Sequence, residues 1–168
     1  LILNKIFIVV GIGASSSNET PWDTDGDCIP NYIEDFNHNG ERDFAHAQST
    51  PLFLETSPYD ADSDDDGCKD GNCNGSEDLN NNGILERGET DPRNPDTDED
   101  GILDGTEKGL IEPETPDTDF TKGFFVPDAD PSTITNPSDA DTDDDGILDG
   151  NEDKNQDGSF DSTAGETN

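Results

Sequence analysis

Apolar residues crowd into the first fourteen positions, LILNKIFIVVGIGA, and thin out sharply after them. Ile6 to Val10 is rich in β-branched residues and apolar on both faces, a pattern that predicts a strand buried on both sides rather than a helix. The segment is too short for a membrane span, which needs about 20 apolar residues, and Lys5 interrupts it. It reads either as the remains of a secretory signal, with a small-residue region around Gly11 to Ser15, or as an apolar strand, residues 1–14, that docks into a neighbouring subunit. The remainder of the chain has little apolar surface to cover such a strand, which favours docking. Residues 15–22 follow as a linker.

From Asp23 onward neither helical nor strand periodicity recurs. The period that does recur is polar: carboxylates at every second position, then glycine, then an aliphatic pair. Asp141 to Glu152, DTDDDGILDGNE, is the fullest instance. Oxygen donors stand at loop positions one, three, five, nine and twelve, namely Asp141, Asp143, Asp145, Asp149 and Glu152. Gly146 marks a sharp turn at position six, and Ile147 offers its carbonyl at position seven. A hard cation such as calcium takes six to eight oxygens, and this spacing, closed by a bidentate Glu, is the EF-hand ligand scheme. Asp96 to Glu107, DTDEDGILDGTE, repeats it with Asp96, Asp98, Asp100, Ile102, Asp104 and Glu107, so coincidence is a poor explanation.

Variants of the loop fill the rest of residues 23–107. The first supplies Asp23, Asp25, Asp27, the Ile29 carbonyl, Asn31 and Glu34, with Cys28 in place of the turn glycine. A second kind of loop opens at once, with Asp35, Asn37, Asn39, the Glu41 carbonyl and Asp43. Its twelfth position is His46, so an insertion over residues 44–54 and closure by Glu55, the start of a recurrent ETxP tail, are expected. Asp62, Asp64, Asp66, the Cys68 carbonyl and Asp70 then lead to Cys73 at position twelve. Glu77 becomes the closing ligand after a short insertion that a Cys68–Cys73 disulfide would staple. Asp78, Asn80, Asn82, the Ile84 carbonyl, Glu86 and Glu89 form a complete loop of the second kind, in which Asn for Asp keeps the oxygens and lessens their repulsion.

Residues 108–140 break the pattern. They add Asp117, Asp119, Asp128 and Asp130 as candidate ligands, with Phe120, Phe124, Phe125 and Val126 as an aromatic cluster that is either a packed satellite or a contact surface. The array resumes over residues 141–168 with the loop at Asp141, followed by Asp153, Asn155, Asp157, the Ser159 carbonyl, Asp161 and Glu166. The sequence stops inside a motif, which suits a fragment of a longer array and equally a subunit whose partner completes the last site. The pairs Ile84-Leu85, Ile102-Leu103 and Ile147-Leu148 are expected to form small apolar contacts between adjacent loops.

Composition rules out a conventional core. The chain has 168 residues, 43 Asp plus Glu against 8 Lys plus Arg, and a formal net charge of -35. Leu, Ile, Val and Phe make up roughly 18% of it, a combination typical of disordered chains. Such acidity excludes nucleic acid as a natural partner, because phosphate backbones call for a basic face, and it points to multivalent cations. A solvated acidic tail is the plain alternative, but tails carry acids in blocks, whereas these alternate with small residues and are punctuated by glycine. No nucleophile has a paired base, there is no phosphate loop, and neither a CxxC pair nor a His cluster suggests zinc. An enzyme is not expected. Cys28, Cys68 and Cys73 are an odd set, and sequons at Asn18 and Asn74 permit glycosylation.

Tandem DxDxDGxxDxxE loops alternating with DxNxNG loops, joined by Pro-containing links, resemble thrombospondin type 3 repeats in their bacterial form. The resemblance covers nearly all of residues 23–168 and is strongest at the loops beginning Asp78, Asp96 and Asp141. It implies a mostly irregular fold of tandem EF-hand-like loops without flanking helices, wrapped around a row of calcium ions in an extracellular or cell-surface setting. About seven ions are expected, one per loop. Calcium then supplies what the missing core does not: at free calcium ten times the dissociation constant, each site adds about 1.4 kcal/mol. Two functions fit, and the apolar segment favours the first: a self-assembling subunit of an extracellular fibre or matrix joined through residues 1–14, with a calcium-stiffened spacer or stalk of a larger surface protein or adhesin as the alternative.

Overall fold

A computed structural model describes residues 22–40, 42, 55–72, 76–161, 163 and 165–167. The expected N-terminal strand, the linker before Trp22, Glu41, Asp43 and Cys73 lie outside the described residues. Within them the fold is mostly irregular. It has three one-turn helices, α1 (Asn31–Glu34), α2 (Asp104–Glu107) and α3 (Asp149–Glu152), and no sheet. Isolated bridges join Ser57 to Asp60, Gly71 to Asp78 and Arg87 to Glu89. Among the described residues no helix is long and apolar enough to cross a membrane.

The three helices fall at the same place, positions nine to twelve of a long Asp-rich loop. Each follows an extended residue, Pro30, Leu103 or Leu148, with ψ of 138, 142 and 144°. Each is closed by the N–H of its final Glu donating to that residue's carbonyl, at 3.3, 3.0 and 3.1 Å. A single turn has no stability of its own, so the loop must hold it. The position-nine side chain does this by accepting from the backbone N–H of position two: Thr24 to Asn31 (2.9 Å), Ser63 to Asp70 (2.8 Å), Thr97 to Asp104 (2.8 Å) and Thr142 to Asp149 (3.0 Å). The loop at Asp62 lacks the helix. There Glu77 and Asp78 return to donate to the carbonyls of Lys69 (3.2 Å) and Asp70 (2.9 Å).

The head of each loop is equally regular. The position-one carboxylate accepts the N–H of the turn glycine: Gly40 to Asp35, Gly67 to Asp62, Gly83 to Asp78, Gly101 to Asp96, Gly146 to Asp141 and Gly158 to Asp153. Left-handed backbone is required there, and Cys28, which replaces glycine in the first loop, adopts it with φ of 86°. That turn survives in a residue that is disulfide-bonded.

The expected aliphatic pairs differ in burial from loop to loop. Ile102 is buried, but Ile147 and Leu148 remain 42% and 40% exposed. Ile29, Ala61, Cys68 and Ile102 are the apolar side chains buried among the described residues. Successive long loops meet through glycine at position ten. A Cβ on Gly71 would lie 2.7 Å from the Asp27 carbonyl oxygen, and one on Gly105 or Gly150 would collide with the carbonyl of Asp66 or Asp100. Gly105 and Gly150 also donate to the carboxylates of Asp66 (3.1 Å) and Asp100 (2.6 Å). The first long loop has Tyr32 at position ten, and that side chain is exposed.

Two further devices fasten the stack. The Thr of each Thr-x-Pro link donates its hydroxyl to the closing Glu of the long loop before it: Thr56 to Glu34 (3.3 Å), Thr90 to Glu77 (3.1 Å) and Thr135 to Glu107 (2.9 Å), with Thr167 doing the same for Glu152 (2.7 Å). Residues 108–140 fold back onto the loop at Asp62. Glu114 donates its N–H to the Gly67 carbonyl (2.9 Å) and accepts from Lys69 N–H (3.1 Å), while Thr106 donates to the Val126 carbonyl (2.7 Å). Thr118 donates to Asp62, Lys122 pairs with Asp65, and the Phe125 ring lies against Gly67. Phe120 packs edge-on to Phe125 at 5.9 Å between ring centroids, so this cluster caps a loop although Phe120 and Phe124 keep much of their surface in solvent.

Candidate metal centres

The repeated loops bring carboxylates together in threes that could hold a metal ion. Within single loops these are Asp23–Asp25–Asp27, Asp62–Asp64–Asp66 and Asp96–Asp98–Asp100. Two more trios cross between loops, Asp27–Glu34–Asp70 and Asp66–Glu77–Asp104, and in each trio the ligand oxygens lie within 4.8 Å of one another. The crossing trios are not readable from any one loop, because Asp70 and Asp104 enter from the following long loop.

Burial makes these groups chemically demanding. Asp27, Glu34, Asp62, Asp66, Asp70, Glu77 and Asp104 are all 0% exposed. A buried ionised carboxylate is costly unless paired or bound to a cation. Yet Asp25 Oδ2, Asp27 Oδ2, Glu34 Oε2, Asp62 Oδ1, Asp64 Oδ2 and Asp70 Oδ2 have no hydrogen-bond partner, and the same holds for Glu77 Oε2, Asp96 Oδ1, Asp98 Oδ2 and Glu107 Oε2. Native interiors rarely leave polar atoms in this state without an ion or water to satisfy them. Among the described residues the ion pairs Lys122–Asp65 and Arg93–Asp91 involve none of these oxygens, while Lys69 acts on Asp27 and Lys108 on Glu77, Asp66 and Asp104 without an ion pair to them.

The pKa values follow from the same crowding. Burial first, and then the neighbouring carboxylates Asp27 and Asp25, push Glu34 up to about 9. Burial with Asp25 raises Asp27 to about 8, and burial with Asp98 raises Glu107 to about 9. Asp62 and Asp104 reach about 7, mainly through burial, and Asp98 about 6 from burial and Asp100. Carboxylates held this way take up a proton or a metal ion at neutral pH, and oxygen-only donor sets suit hard cations.

In loops of the second kind the acids assigned to closure accept hydrogen bonds from their own loops. Glu89 accepts from the N–H groups of Leu79 (3.0 Å) and Glu86 (2.8 Å), and Glu166 takes the same place for Asp161 (2.7 Å). Glu55, fully buried, accepts from Asn37 at 3.4 Å. In the insertion the candidates separate. Asp117 and the carboxylates of Asp119 and Asp130 are exposed, the last two turned to their own Thr121 and Ser132. Asp128 is buried with Oδ2 unpartnered, beside Asp130, Asp157 and Asp153. At the loop at Asp141 the carboxylates of Asp143 and Asp145 are exposed, while Asp149 and Glu152 are buried.

One expectation is corrected. Cys68 is a free, buried thiol, so no Cys68–Cys73 disulfide staples the insertion before Glu77, and Cys28 is the bonded cysteine. Cys68 Sγ instead accepts from Lys108 Nζ at 3.5 Å. The spacing of ligands also left unnoticed the position-ten glycines and the link threonines, although both recur in the sequence at fixed offsets. No protein-family model, curated protein or solved structure matches the chain.

Proposed function

We propose that the chain is an extracellular, calcium-stabilised structural protein, built from tandem EF-hand-like loops of the thrombospondin type 3 kind and without enzymatic activity. The observation that carries this reading is the set of fully buried carboxylate oxygens that lack any partner within the protein. A net charge of -35 leaves the compact chain in need of many cations, and oxygen-rich sites on a flexible backbone suit calcium at the millimolar levels found outside cells. Calcium then acts in place of an apolar core, and its removal relaxes the stack.

Of the two structural roles, a self-assembling fibre subunit rests on the apolar segment 1–14. A calcium-stiffened spacer or stalk has an observation in its favour. The register in which one long loop sits on the last requires glycine at position ten, and the first loop carries Tyr32 there. Its side chain would stop a second copy from continuing the array in that register, so the stalk is the better-supported role.

Sedimentation velocity of the full chain in millimolar calcium and after chelation tests both points. Calcium is expected to give a compact monomer that expands in chelator. An unchanged sedimentation coefficient would remove the calcium reading, and large calcium-dependent assemblies lost on deletion of residues 1–14 would restore the fibre role.

A further inference from the structure

At two of the junctions between stacked long loops a carboxylate from one loop enters its predecessor, and these two are built differently. At the first, Asp70 joins Asp27 and Glu34. Each is pinned through one oxygen: Asp27 Oδ1 accepts from Ile29 N–H (2.7 Å), Glu34 Oε1 from the Thr56 hydroxyl (3.3 Å) and Asp70 Oδ1 from Ser63 N–H (2.8 Å). Each leaves its other oxygen buried and unpartnered. The ammonium that acts on Asp27, that of Lys69, donates to the Gly26 carbonyl at 3.4 Å. Among the described residues no Lys or Arg forms an ion pair with any of the three.

At the second junction, Asp66–Glu77–Asp104, most of the needs are met from within, and of the six carboxylate oxygens Glu77 Oε2 alone is buried without a partner. Both oxygens of Asp66 accept N–H groups, from Cys68 (2.6 Å) and Gly105 (3.1 Å), and both of Asp104 accept from Thr97 (2.8 and 2.7 Å). Lys108 Nζ donates to Thr90 Oγ1 (2.9 Å), whose hydroxyl donates to Glu77 Oε1 (3.1 Å). Lys108 stands directly after a closing Glu, where Asp35, Asp78 and Asp153 follow the others.

We propose that Asp27, Glu34 and Asp70 together hold one divalent cation that clamps the first long loop to the second, while Lys108 takes that cation's place at the second junction. This rests on the calcium reading above and adds an ion that no single loop encodes. Three ionised carboxylates in a buried site repel one another unless a cation binds them. Prior fixing of one oxygen on each aims the other without further ordering cost, as supporting shells do in metal sites. With only oxygens on offer, calcium is the expected occupant.

The test uses the full chain and two readouts: the number of calcium ions bound at equilibrium dialysis, and terbium luminescence sensitised by Trp22, the one tryptophan, next to the first loop. Asp70→Asn keeps Oδ1 for Ser63 while replacing Oδ2. It is expected to lose one bound calcium and to dim the Trp22-sensitised terbium signal, although Asp70 belongs to the following loop. Glu34→Gln, which also removes the closing ligand of the first loop, should lose that ion together with the loop's own, so the double variant loses no more than Glu34→Gln alone. Asp143→Asn, in the exposed loop at Asp141, should leave the Trp22 signal unchanged and serves as the control. Full stoichiometry and an undimmed signal in Asp70→Asn would overturn the clamp, as would separate losses that add in the double variant. Wild-type chain that binds neither metal would overturn the calcium reading itself, an outcome distinct from these.

Discussion

The loops at Asp62 and Asp141 share their spacing through position nine and the hydrogen bonds of the loop head, yet one is buried and the other is open. In both, the turn glycine donates to the first Asp, Gly67 to Asp62 at 3.1 Å and Gly146 to Asp141 at 2.8 Å. In both, position seven donates to position five, Cys68 to Asp66 at 2.6 Å and Ile147 to Asp145 at 2.9 Å. Asp62 and Asp66 are nonetheless 0% exposed, whereas Asp143 through Leu148 face solvent. The difference lies in what rests on each loop. Gly105 and the insertion's Glu114, Thr118 and Phe125 cover the first. Spacing thus sets the shape of a loop, while stacking sets how costly its charges are and how much a cation is worth there.

Removing the cations should have the largest effect and should erase the contrast. In calcium, amide exchange is expected to be much slower over residues 62–70 than over 141–148; in chelator both should exchange rapidly, since the buried charges lose their partner. Slow exchange at Asp66 and Cys68 that persisted in chelator would mean that the backbone network alone holds the loop.

Proton binding should partly mimic metal, with a definite sign. Without metal, burial and neighbouring carboxylates hold Asp62 at about 7, Asp27 at about 8, and Glu34 and Glu107 at about 9. Unfolded carboxyls titrate near pH 4, so about there and below the folded form keeps its full stability, and it loses it as pH rises through about 7 to 9. In chelator the hydrodynamic radius should therefore grow between about pH 4 and 9, while in saturating calcium it should stay flat over the upper part of that range. A metal-free chain equally expanded at both ends would contradict the burial of these groups.

Much of the loop interior was legible in the sequence, because alternate Asp residues followed by glycine leave the backbone N–H groups one local way to pair. The mostly irregular fold followed from the same pattern. Stacking was not legible. The contacts of Asp70 with Glu34 and of Asp104 with Glu77 join residues far apart in sequence, and ligand spacing within one loop says nothing about its neighbour. The Ile-Leu pairs drew attention as the natural glue, and the close backbone approach at Gly71, Gly105 and Gly150 went unread beside them. Their recurrence after Asp70, Asp104 and Asp149, set against Tyr32 after Asn31, was the available signal.

Filling one of those glycines should sharpen the comparison at intermediate cost. Gly105 has no left-handed φ to complicate the reading, and its would-be Cβ meets the Asp66 carbonyl. Gly105→Ala is expected to cost about 1–3 kcal/mol, the usual penalty for overpacking a tight contact. In denaturant titrations with calcium present, the midpoint should fall clearly. An unmoved midpoint would show that the two loops can part without loss.

The smallest effect should come from one hydroxyl, and it isolates burial from chemistry. Thr90 and Thr167 make the same bond, to Glu77 at 3.1 Å and to Glu152 at 2.7 Å, but Thr90 is buried and Thr167 is exposed. Thr→Val keeps the shape and removes the donor. At Thr90 it also strips Lys108 of its 2.9 Å acceptor, leaving a half-buried ammonium and a buried carboxylate each short of a partner, a loss of about 1–3 kcal/mol. At Thr167 water can replace the hydroxyl, and the cost should stay within about 0.5 kcal/mol. Denaturant midpoints of the two variants, measured in the same calcium, give the ratio directly. Equal shifts would mean that the loop at Asp62 gains nothing from its cover, since the same bond would then be worth the same in the dry and the wet halves of the array.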